Sequence, residues 1–98
     1  MISREDFMFT TGYQGNTAIV DGSSKRRFGK MGVEELTEKG MFKPALCRAV
    51  YDDDEGEKAK VLDLYNSQGD KKIESFDDLK KVLGVTKVPE EIEKTMVI

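Results

Sequence analysis

The stretch Asn16-Thr-Ala-Ile-Val-Asp21-Gly-Ser-Ser-Lys-Arg-Arg-Phe-Gly-Lys30 decides how this chain folds. It joins a β-branched run, a turn signal and a dense basic run, a combination found nowhere else in the sequence. Asp21-Gly22 between such flanks predicts a β-hairpin over 16–30, because glycine takes a positive φ at no steric cost. The hairpin would be the platform, and short helices before and after it would pack on one face. The expected fold is α+β: a small antiparallel β-hairpin or sheet with about four short helices.

Upstream, Ser3-Arg-Glu-Asp6 reads as a helix start, with Ser3 as cap and the acids in the first turn, where the helix dipole favours them. Phe7 and Phe9 then anchor this arm to the core. Five of the nine glycines fall between Gly12 and Gly32. Gly12-Tyr-Gln-Gly15 among them reads as a turn leading into the hairpin. Its spacing matches neither the Walker loop nor the dinucleotide fingerprint.

Downstream, Gly32 to Gly40 predicts a short helix with Val33 and Leu36 on one face. Pro44 to Tyr51 predicts an apolar helix in which Cys47 sits as a small buried hydrophobe. Its Ala45, Leu46, Ala49 and Val50 do not suit a DNA-recognition helix, which reads bases with polar side chains. Glu57 to Gln68 is the clearest helical pattern, with an apolar stripe of Val61, Leu62, Leu64 and Tyr65 and a stop at Gly69. Ser75 caps a further helix that ends at Gly84. Pro89-Glu-Glu-Ile is expected to form a last helical turn, and Met96-Val97-Ile98 a short strand pairing with the hairpin. Leu46, Val50, Leu62, Tyr65, Leu79 and Leu83 are the expected core.

Ninety-eight residues suggest a single small globular domain over 1–98. Histidine is absent, which removes Ser-His-Asp and Cys-His catalysis and every histidine metal site. With one cysteine, Cys47, neither an intrachain disulfide nor a cysteine-rich zinc site can form. The acidic run Asp52-Asp-Asp-Glu-Gly-Glu57 is the best match to a cation loop. Placing Gly56 at the sixth position of an EF-hand puts Tyr51 and Leu62 where Asp and Glu are required. The run therefore reads as a solvated connection ahead of a helix. No cofactor and no metal are expected. No window approaches the ~18 apolar residues of a membrane helix, and the opening residues show no signal peptide. The expected setting is cytoplasmic, with no membrane partner.

Net charge is −3 but uneven: residues 1–32 carry five basic groups against three acids, and residues 33–98 eleven against sixteen. Such asymmetry points to an interaction surface. The favoured reading is a non-catalytic interaction or regulatory module, pairing with a protein partner or a second copy through an edge strand. The alternative is nucleic-acid or anion binding through Lys25, Arg26, Arg27 and Lys30, with Tyr13 or Phe28 stacking. Strand alternation would put Lys25 and Arg27 on one face and Arg26 on the other, diluting that patch. The acidic overall balance also opposes phosphate binding. An enzyme is not expected. Asp21 and Asp63 are the only acids set between apolar neighbours, and neither has an identifiable catalytic partner.

Overall fold

The computed structural model describes residues 2–85 and 87–98. Among these, three strands form one sheet in the order β1-β2-β3: β1 is Thr10–Gln14, β2 Thr17–Val20 and β3 Lys94–Val97. β1 runs antiparallel to β2, and β3 runs parallel to it. The fold is α+β, with a hairpin, but the hairpin lies one strand earlier than predicted. Gly12 to Gly15 is not a turn into it; most of that segment is β1. The loop is Gly15-Asn16, with Gln14 facing Thr17 across it. Gly15 supplies the positive φ, at 59°, that a two-residue hairpin loop needs. Thr10, Thr11 and Tyr13 favour a pleated surface, and the register slips between Thr10 and Gly12, leaving Thr11 as a bulge.

The basic half of the decisive stretch is helical. Asp21 is the N-cap of α2, Gly22–Phe28, and its side chain accepts a hydrogen bond from the Ser24 N–H. Asp-Gly serves equally as a hairpin turn or as a cap followed by a first helical residue. Here β2 already has a neighbour on each edge, so the following residues have no strand to pair with. Their backbone bonds close locally instead, as Lys25 N–H to Asp21 O at 3.0 Å and Gly29 N–H to Lys25 O at 2.9 Å.

The other helices are α1 (Arg4–Met8), α3 (Val33–Glu38), α4 (Phe42–Asp52), α5 (Glu55–Gly69) and α6 (Phe76–Leu83), so six helices stand among the described residues rather than about four. Local chemistry sets most of their ends. Ser3, Asp54 and Ser75 each accept a bond from a backbone N–H three residues on, and Gly84 closes α6 at φ 70°. Pro89–Ile92 makes no helical turn; Ile92 is buried and leads into β3.

α4 is the middle of the core. Ala45, Leu46, Cys47 and Ala49 are buried against Phe7 and Met8 of α1, Val33 and Leu36 of α3, and Val61 of α5. Ala18 and Val20 turn the inner face of β2 toward the same cluster and are fully enclosed. Burying a side chain such as Leu46 or Leu79 stabilises the fold by roughly 1.5–3 kcal/mol. Val50, Leu62, Tyr65 and Leu83, also expected in the core, pack against this cluster but are only partly buried. α5 and α6 lie at the rim of the helical layer, so only Val61 and Leu79 point fully inward. None of the described helices is long and apolar enough to cross a membrane.

Candidate functional site

The predicted basic site divides once it is helical. Lys25 reaches across to α1 and pairs with Asp6 at 2.6 Å, which satisfies its charge within the molecule. Arg27 lays its guanidinium over Phe28, 5.1 Å from the ring centre. Arg26, Arg27 and Lys30 are exposed, with Lys30 just past the Gly29 C-cap. The strand-face argument for pairing Lys25 with Arg27 therefore does not apply. Asp21 stands beside this group with its carboxyl held below the usual aspartate value, chiefly by the Ser24 hydroxyl at 2.8 Å and then by the Ser24 N–H.

Arg26 leads to a feature that the sequence does not display. A Cβ on Gly22 would meet Val97 Cγ1 at 2.5 Å, Ile98 O at 3.0 Å and Arg26 Nη1 at 3.3 Å. The first turn of α2 thus lies hard against the end of β3, with the Arg26 guanidinium beside it. Just past β3, the Ile98 N–H donates to Val20 O at 2.9 Å and Ile98 O accepts from Gly22 N–H at 3.1 Å. Lys94 N–H turns the same way, to Asn16 O. Residues 94, 96 and 98 therefore bond inward to β2, and alternation along a parallel pair turns the N–H and C=O of Thr95 and Val97 outward. Every residue of β3 is exposed, Met96 at 48% and Val97 at 51%. The opposite edge of the sheet, β1, is interrupted by its bulge, a common guard against pairing. β3 has none. Its apolar ending, Met96-Val97-Ile98, was the one sequence signal of this edge, and strand order alone reveals that the edge is open.

The acidic run is engaged by the protein itself. Asp52 pairs with Arg4 at 3.3 Å, Asp53 and Glu55 with Lys58 at 2.6 and 3.2 Å, and Asp54 caps α5. Among the described residues no three His, Cys, Asp or Glu side chains are grouped to hold a metal ion.

Between β1 and α4 lies a cavity of about 210 Å³ whose lining includes Tyr13, Lys43 and Cys47. Burial pushes the Cys47 thiol up to about 11, against a smaller opposing pull from Lys43. Burial, and then Cys47, raises the Tyr13 hydroxyl as well. A thiol so disposed stays protonated near neutral pH and is a poor nucleophile. Asp63, the second acid singled out in the sequence, is exposed on α5 and lies away from Asp21, lining a groove with Leu64.

No protein-family model, no curated protein and no solved structure matches this chain.

Proposed function

We propose that this protein is a non-catalytic interaction module that pairs an extended segment of a partner protein along β3. The observation carrying this reading is the open edge: outward N–H and C=O groups at Thr95 and Val97, flanked by the half-exposed Met96 and Val97 side chains. Main-chain bonds would supply affinity, and alternate side chains would be read on the two faces. Arg26 beside Val97, with Arg27 and Lys30 farther along the same run, favours a segment carrying acids. The absence of histidine and the protonated thiol of Cys47 support a role without chemistry. A lone buried thiol also suits a reducing compartment such as the cytoplasm.

Selection from a random dodecapeptide display library tests this. Wild type should enrich acidic sequences with alternating apolar residues. Thr95→Pro should enrich none of them, because proline there removes only an outward N–H and leaves the bonds to β2 intact. Equal enrichment on both proteins, or no enrichment together with saturable binding of mixed-sequence DNA or RNA in an anisotropy titration, would overturn the proposal.

A further inference from the structure

A second surface, independent of β3, lies between α3 and α5. Two adjoining cavities, of about 390 and 490 Å³, share Glu34, Gly56 and Lys60 in their walls. Together they form one groove running along both helices. Its floor is small and apolar: Gly56 and Ala59 lie three apart on one side of α5, and Leu64 closes the far end of the groove. Leu64 lies one turn on from the buried Val61, so the groove borders the face of α5 that enters the core.

The rim is acidic. Glu34, Glu35 and Glu38 rise from α3, and Glu57 and Asp63 from α5, with Lys60 the one cation among the described residues that line the groove. Lys60 is already taken, because its ammonium donates to Glu34 and that bond holds the Glu34 carboxyl below its usual value. Glu57 shows the opposite strain. Burial, followed by the nearby Asp52 carboxylate, pushes its carboxyl up despite Arg48 at 3.7 Å. One Glu57 oxygen is shut away from solvent with no donor.

We infer that this groove docks a basic amphipathic helix of a partner protein. The groove walls are helices, whose backbone bonds are closed internally, so recognition here must come from side chains. An apolar ridge fits a floor of Gly56, Ala59 and Leu64, where the two small residues let a helix approximately 10 Å across come close. Lysines or arginines on the flanks of that ridge meet the exposed carboxylates of Glu35, Glu38 and Asp63, which line the groove without an ion pair to Lys60 or Arg48.

The probe is a synthetic helical peptide with leucine at i, i+3, i+4 and i+7 and lysine on both flanks, titrated into the full chain and followed by amide NMR shifts. The control peptide carries glutamate for every lysine. Saturable shifts should centre on Gly56, Ala59, Lys60 and Leu64, with affinity falling as salt rises. Glu38→Lys with Asp63→Lys should weaken binding at least about tenfold, and the neutral Glu38→Gln with Asp63→Asn by less. Both positions are exposed, so the fold should persist, and the amide spectrum itself reports it. Equal binding of the control peptide, shifts centred on β3 or α2, undiminished binding to the charge-reversed variant, or no binding at millimolar peptide would each overturn the inference. A failure of β3 to pair with any segment would leave shifts at Gly56, Ala59, Lys60 and Leu64 unaltered, so the two proposals fail separately.

Discussion

Replacing Gly22 by alanine tests the contact that ties the sheet to α2. In open solvent this change would favour the helix, because glycine costs about 1 kcal/mol relative to alanine in a helix interior and less in the first turn. The structure predicts the opposite sign. The new Cβ would lie 2.5 Å from Val97 Cγ1 and 3.0 Å from Ile98 O. Val97 is half-exposed and can rotate away at the cost of a less favoured rotamer, but the Ile98 carbonyl is backbone and is held at 3.1 Å by the Gly22 N–H. Overpacking of this kind costs roughly 1–3 kcal/mol. Set against a propensity gain below 1 kcal/mol, Gly22→Ala should destabilise by about 1–2 kcal/mol, or lower Tm by several degrees. Urea denaturation measures it. Val97→Ala alone should be mild, and the double variant should recover part of the loss, giving a favourable coupling of at least ~0.5 kcal/mol. A neutral or stabilising Gly22→Ala, or additive effects in the cycle, would refute the packing of β3 against α2.

The core and the buried thiol give two further tests. Leu46→Ala should cost ~2–5 kcal/mol in denaturant titration, because Leu46 is wholly enclosed, while Leu62→Ala at the half-buried rim should cost clearly less. With a folded value of about 11, Cys47 should alkylate at pH 8 at least about a hundredfold more slowly in the native protein than in urea, as timed by mass spectrometry. Because folding raises this pKa, its stabilising contribution is complete below the unfolded value near 8.5 and is lost as pH climbs toward 11. Cys47→Ala should flatten that part of the alkaline stability loss.

The sequence by itself determined the helices whose signals are local. Ser3 and Ser75 cap where they were expected to, because a cap is a bond to an N–H three residues away. Gly84 stops α6 for a reason confined to its own φ. Leu46 and Leu79 are legible as core, since each lies centrally on an apolar helical face that meets other elements. Rim positions such as Leu62 and Leu83 carry the same pattern but are covered only in part by the core they pack against, and no local signal distinguishes the two cases.

Tertiary structure alone decided the sheet. Asp21-Gly22 is locally compatible with a hairpin turn and with a helix start, and the choice rests on what already occupies the edges of β2. One of those neighbours arrives from the far end of the chain, where Asn16 meets Glu93 across 77 residues. For the same reason the basic run changed from strand to helix, so that Lys25 turned to Asp6 while Arg26 came to stand by Val97. The candidate surfaces are of the same kind. An open edge exists only once strand order is set, and the acidic groove only once α3 lies beside α5, because both depend on contacts between residues that no local pattern brings together.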